Sequence, residues 1–192
     1  MTHVWWVRHG PTHEKAFVGW RDVPADLSDT ALIQRTSDYL PQDALVASSD
    51  LRRAADTADA IAMGRTRLGN LPALREFDFG DWDGMTHTDV AARDPVDSRL
   101  YWEDPGDRKA PNGESWNDVA GRVNGAVDAL IAAHQGAHLI LVAHIGVIMT
   151  QIQRASGSTA YAAMGHQIGN LSVTDMRFDG AQWQIGTINH IA

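Results

Sequence analysis

With 192 residues, 44% of them hydrophobic, the chain carries enough apolar material for one core and is short for two, so a single domain spanning residues 1–192 is expected. Sixteen basic against 24 acidic side chains leave a formal net charge of −8, which argues against a general nucleic-acid surface, because phosphate backbones are met by clustered cations. The absence of Cys excludes disulfides and Cys-ligated zinc, and neither a signal-peptide pattern in MTHVWWVRHG nor an apolar stretch of membrane-spanning length occurs, so a soluble, cytoplasmic protein without a membrane partner is expected.

Along the chain, Val4–Val7 reads as a short buried strand that ends abruptly at Arg8, His9 and the Gly10-Pro11 break. Ser28 is the expected N-cap of a helix reaching about Leu40. Ala44–Ala47 is a second strand, and Ser49 or Asp50 can cap LRRAADTADAIAM, in which Leu51, Ala54, Ala58 and Ile61 recur at helical spacing. Ser115 caps a long helix to about Ala133, with Val119, Val123, Val127, Leu130 and Ile131 along one stripe. His138–Ala143 is a third strand, followed by a helix carrying Val147, Ile148 and Ile152. Finally NLSVTDMRF and AQWQIGTI alternate about Asp179-Gly180, the signature of a hairpin at a sheet edge. Strands alternating with amphipathic helices predict an α/β fold, a three-layer sandwich with helices on both faces of a mostly parallel sheet.

In such a sheet ligands bind beyond the carboxyl ends of the strands. Arg8-His9 follows the first strand, Ser48-Ser49-Asp50-Leu51-Arg52-Arg53 the second, and His144-Ile145-Gly146 the third. Imidazoles and guanidiniums gathered there, with helix N-termini behind Arg52 and His144, suit a compact anion such as phosphate. Competing chemistries lack their parts. His9 and His13 have the i, i+4 spacing of zinc ligands, but Gly10-Pro11 breaks the helix that would align them. GESWN around Ser115 lacks the second glycine of a nucleophile elbow, and neither a P-loop nor a dinucleotide fingerprint is present.

These segments resemble the histidine phosphatase superfamily, which includes cofactor-dependent phosphoglycerate mutases and small phosphatases such as alpha-ribazole phosphatase. The resemblance rests on VRHGPT, SSDLRRAADTA, LREFDFGDWDG, GESW and LILVAHIGVI, in this order along most of the chain. It implies a phosphoglycerate mutase-like fold, His9 as the nucleophile that takes the phosphoryl group, and Arg8, Arg52 and His144 as holders of the phosphate oxygens. It also implies Glu76 as general acid, a role that spacing alone does not assign; Asp78, Asp81 and Asp83 are its rivals, with Asp81 the strongest. A neutral imidazole can attack phosphorus and later leave, cations meet the charge on the equatorial oxygens, and a protonated His144 is expected among them, so no metal and no cofactor is required.

Three departures from the family's pattern stand out. Lys15 replaces a frequent Asn and is either a phosphate-binding charge or a surface residue; Ile145 replaces a glycine after His144; Asp83 replaces a usual Glu. Trp20, Arg21 and Lys15, with Trp82 and Trp102, are candidates for a substrate opening, Trp102 being favoured instead as a packing residue. Mutases of the family are usually longer, so the expected activity is metal-independent hydrolysis of a small phosphomonoester. Mutase-type transfer and a non-catalytic phosphate-binding regulatory module are the alternatives.

Overall fold

In the computed structural model, which describes all 192 residues, the N-terminal apolar run extends into β1 (Thr2–Arg8), followed by α1 (Thr30–Tyr39), β2 (Leu45–Ser48), α2 (Arg52–Ala62) and β3 (Thr66–Asn70). Two short 3-10 turns, Pro72–Leu74 and Gly80–Trp82, lead to α3 (His87–Arg93), α4 (Pro95–Glu103) and the long α5 (Trp116–Ala133). Then come β4 (His138–Ala143), α6 (Ile145–Ser156), α7 (Ala160–Met164) and the hairpin β5 (Val173–Phe178) and β6 (Trp183–Ile185). The strands form one sheet in the order β3-β2-β4-β1-β5-β6. β3, β2, β4 and β1 run parallel, whereas β5 and β6 add antiparallel at the edge, as the Asp179-Gly180 signal predicts.

Both faces of the sheet are covered, and strand periodicity divides them. Val4 and Trp6 of β1 join Leu139 and Leu141 of β4 in a core shared with Val119, Val123 and Val127 of α5 and Ile148 of α6. Val7, Ile140 and Val142 face the other way, onto Ile33 of α1 and Ala54, Ala58 and Ile61 of α2. Side chains of successive strand residues leave opposite faces, so a strand buried on both reads as an unbroken apolar run.

The differences from expectation are local. β3 has no apolar signature because TRLGN is an edge strand whose residues are exposed or half-buried. Asp29 rather than Ser28 caps α1, accepting from Leu32 N–H. No side chain caps α2, whose first flanking residue is Leu51. Ser49 instead accepts from Leu51 N–H within its own turn, and Asp50 forms a two-point ion pair with Arg75 at 2.7 and 2.6 Å.

Ser115 is the expected cap. Its hydroxyl accepts from Asp118 N–H at 3.1 Å while Asp118 accepts from Ser115 N–H at 2.9 Å, a reciprocal capping box at the start of the longest helix. The cap is buried, so water cannot replace it. Ser115→Ala is therefore expected to destabilise the fold by about 1–2 kcal/mol, read as a lower denaturant midpoint at unchanged slope.

Candidate active site

Strand register builds the site. Arg8 of β1 lies opposite Ala143 of β4, and Ser48 of β2 opposite Val142, so the three strands end at one level. His9 N–H donates to Ala143 O at 3.0 Å, which sets the first residue past β1 beside His144, the first past β4. The two imidazole centroids are 5.1 Å apart. Gly10 permits this turn: its N–H donates to Thr57 Oγ1 of α2 at 3.0 Å, and a Cβ there would come within 2.7 Å of Leu27.

Hydrogen bonds determine both tautomers. His9 Nδ1 lies 2.7 Å from Gly10 O, and a carbonyl can only accept, so Nδ1 carries the proton and Nε2 keeps its lone pair. Burial first, then the Arg53 charge, pulls His9 down to about 3, with the Gly10 carbonyl opposing weakly and Arg8 adding to the fall. His144 is fully buried, and Arg53 Nε–H donates to its Nδ1 at 3.2 Å, which leaves the proton on Nε2. Burial and the neighbouring Arg53 hold it well below the usual imidazole range. Both effects oppose the protonated His144 expected from sequence, and the ring offers its Nε2–H as a donor.

Arg8 contributes from the last position of β1. Its Nη1 donates to Ile168 O at 2.6 Å, while its buried Nε, like Nε2 of His144, has no partner within the protein. Buried N–H groups seldom go unmatched, so two such donors beside His9 make this a candidate anion site.

The arginine supplied by α2 is Arg53, not Arg52. Arg53 is 1% exposed and is held by the carbonyls of Arg21 at 2.9 Å and Gly19 at 2.7 Å, besides its bond to His144. Arg52 is exposed, and the structure does not bring it into the cavity around His9. Helical spacing carries the signal that separates them. Arg53, Thr57 and Ile61 share the buried face, whereas Arg52, Asp56 and Asp59 point outward. Lys15 is also exposed and outside the cavity wall, so it belongs to the surface alternative.

Glu76 enters the same cavity from the loop between the two 3-10 turns and is 5% exposed. Its Oε1 accepts from Phe77 N–H at 3.0 Å and its Oε2 from Gly146 N–H, in the first turn of α6, at 3.3 Å. Burial raises its pKa in spite of these donors and of Arg53 and Arg8. Gly146 is needed for the approach, since a Cβ there would lie 2.5 Å from Glu76 Oε1. The rival carboxylates are engaged elsewhere. Asp81 pairs with Arg93 at 3.0 Å and accepts from Asn112, Asp83 pairs with Arg21 at 2.9 Å, and Asp78 Oδ1 accepts from Gly80 N–H.

Side chains whose partnership spacing does not reveal hold the Glu76 backbone. Glu76 O accepts from Trp20 Nε1 at 2.9 Å and from Arg122 Nη2 at 2.8 Å. Arg122 also donates to Ala73 O and Arg75 O, and Glu114 grips it through both carboxylate oxygens at 2.8 and 2.7 Å. Glu114, just before the start of α5, is the anchor of this clamp and accepts from Asp78 N–H as well.

The whole cavity, polar end included, measures about 460 Å³. Trp102 packs against the core, the role favoured from sequence, and also forms part of the cavity wall, while Trp82 is fully buried, its Nε1 bonded to Asp94. Trp20 lies under the Arg75 guanidinium and Arg21 pairs with Asp83, both outside the wall. His13, the other half of the HxxxH spacing, is exposed and bonded to Asp26. No group of three or more His, Asp or Glu side chains is placed to hold a metal ion.

The fold and the family are shown by comparison with known proteins. Residues 4–191 match the histidine phosphatase superfamily (branch 1), and the chain belongs to that family. Over 172 residues it is 33% identical to a bifunctional protein of Mycobacterium tuberculosis, covering 85% of this chain but only 44% of that protein. It is 39% identical over 156 residues to the glucosyl-3-phosphoglycerate phosphatase of Mycolicibacterium vanbaalenii, covering 74% of this chain and 68% of the relative. Among solved structures, Bacillus stearothermophilus YhfR superposes with a TM-score of 0.88 at 26% identity, over 96% of this chain and 95% of that one.

The assignment of Arg53 over Arg52 is directly testable. Arg53→Lys, which keeps a charge but loses the fork that spans His144 and the loop carbonyls, should lower kcat/KM for a phosphomonoester about 10²–10³-fold. Arg52→Ala should stay near wild type, with circular dichroism verifying that both variants are folded.

Proposed function

We propose that the chain is a metal-independent phosphomonoesterase, a single cytoplasmic catalytic domain that hydrolyses a small phosphorylated metabolite through a phosphohistidine on His9. The observation that carries this reading is a geometric one: His9, whose Nδ1 is tied to Gly10 O so that Nε2 is free, shares one cavity with the buried Glu76 carboxyl, and burial lowers the pKa of the first and raises that of the second. The phosphatase named among the relatives supports it. The −8 net charge disfavours nucleic acid as a partner.

In the first step the His9 Nε2 lone pair forms the N–P bond as the P–O bond to the leaving alcohol breaks. Glu76 gives its proton to the departing oxygen, while Arg8, Arg53 and His144 Nε2–H stabilise the phosphoryl oxygens. In the second, Glu76, now a carboxylate, takes a proton from water as the water oxygen attacks phosphorus. The N–P bond breaks, phosphate leaves, and His9 and Glu76 return to their starting forms. The positive charge comes from the protein itself, so exhaustive chelation is expected to leave the rate unchanged. Hydrolysis is favoured over mutase transfer because Arg8 and Arg53 both stand at the His9 end. The other arginine in the cavity wall, Arg108, is already paired with Asp104 at 3.2 Å.

The direct test is to quench turnover rapidly without acid and map the protein by mass spectrometry. An acid-labile phosphoryl group on His9 is expected; trapping on Ser49 or Ser115, or on no residue, would overturn the mechanism.

Glu76 gives a second, sharper test. Because its pKa is raised, the acid form needed for the first step is lost as pH climbs through that raised value, so kcat/KM should fall on the alkaline side. Glu76→Gln should remove that limb, substrate ionisation being common to both proteins. In single-turnover phosphorylation the variant should lose about 10²–10⁴-fold with an alkyl phosphate and distinctly less with p-nitrophenyl phosphate, whose leaving group needs little proton. Equal losses with both esters would reduce Glu76 to a positioning role.

A further inference from the structure

The cavity is far larger than a phosphate requires, and its outer part has a chemistry of its own. Phe17 anchors it. Its backbone is tied to the 84–85 turn by hydrogen bonds to Met85 O and from Gly84 N–H, and its ring stacks on Trp102 at 5.8 Å and 16° and meets Phe79 at 4.9 Å. From the opposite side α6 presents Ile145 and Met149, and α7 presents Met164. Ile145, the departure from the family's glycine, thus forms part of an apolar wall directly beside His144. Two charged groups stand in the outer wall, and each already has a counter-ion: Arg108 with Asp104, and Glu14 with Arg21 at 3.5 Å. A carboxylate or second phosphate on the substrate would therefore meet the Glu14 carboxylate and compete with Asp104 for Arg108.

Resting on the phosphatase reading, we infer that the preferred substrates are phosphate monoesters of bulky, uncharged apolar or aromatic alcohols, the carbon skeleton lying between the Phe17–Trp102 stack and the Ile145–Met149–Met164 wall. The aromatic rings are fixed before binding by packing against each other, so little side-chain freedom is lost when an apolar group enters, and the Met side chains adapt to its shape. This substrate class differs from the carboxylate-bearing sugar ester in the name of the mycobacterial relative. The same residues that make the outer chamber apolar also exclude water from the His9 end, which couples selection of the leaving group to the chemistry.

The test compares kcat/KM for 3-phenylpropyl phosphate, n-propyl phosphate and 3-phosphoglycerate, with p-nitrophenyl phosphate as a control for phosphatase activity. The two alkyl esters have similar leaving groups, so their ratio reads binding of the ring. The phenylpropyl ester should exceed the propyl ester by about tenfold or more, with 3-phosphoglycerate at or below the propyl ester. Met149→Gln, a half-buried position whose change spares the aromatic stack, should narrow the phenylpropyl-to-propyl ratio severalfold, and Trp102→Ala should do the same. A phenylpropyl-to-propyl ratio near one, or 3-phosphoglycerate turned over as well as the phenylpropyl ester, would overturn the substrate class and leave the phosphatase reading standing. Turnover of none of the esters, p-nitrophenyl phosphate included, would overturn the phosphatase reading and this inference with it.

Discussion

The site depends on one pairing, the parallel register of β1 against β4. Because Arg8 is level with Ala143, the chain leaves both strands at the same height, and a single backbone hydrogen bond from His9 N–H to Ala143 O places one imidazole against the other. A slip of one residue would turn Val7 and Val142 onto the wrong face of the sheet, and the buried apolar surfaces on both sides forbid it. The geometry of the reacting groups is thereby set by the core, which is the most rigid part of the molecule.

Desolvation supplies the chemistry within that geometry. One physical effect acts oppositely on acids and bases: removal from water disfavours the charged form, so it lowers His9 and His144 and raises Glu76. Arg53 reinforces the first and opposes the second, and the burial of Glu76 outweighs it. The nucleophile is consequently neutral and the acid is biased toward its protonated state before any substrate arrives. Two buried donors lack protein partners, Arg8 Nε in the cavity wall and Nε2 of the fully buried His144 beside His9, which suits the His9 end to an anion.

Glu76 sits on a loop, where precision has to be imposed from outside. Arg122 reaches from α5 to three carbonyls, those of Ala73, Arg75 and Glu76, and Glu114 fixes the guanidinium from the segment before the helix. The capping box at Ser115 starts α5 immediately after Glu114, so the same turn that nucleates the helix also aligns the clamp. Gly146 then allows the first turn of α6 to come close enough to bond the Glu76 carboxylate.

What was legible in the sequence follows from periodicity and from local backbone chemistry. The runs Val4–Val7 and His138–Ala143, the stripe of α5, the Ser115 cap and the Asp179-Gly180 hairpin all carry their structure in the spacing of a few neighbouring residues. The motifs around His9 and His144 were legible because strand ends in an α/β sheet converge by topology. Features that lack such a local signature were not. β3 is an edge strand with little apolar surface, and the clamp of Glu114 and Arg122 spans residues whose partnership exists only once α5 packs over the 73–76 loop. The choice between Arg52 and Arg53 lies between the two cases: adjacent helical residues point about 100° apart, and the stripe of α2 already marked the inward one. The lowered proton affinity of His144 and the apolar character of the outer cavity were decided by tertiary structure alone, since both are consequences of which groups exclude water from one another, and that depends on contacts between segments far apart in the chain.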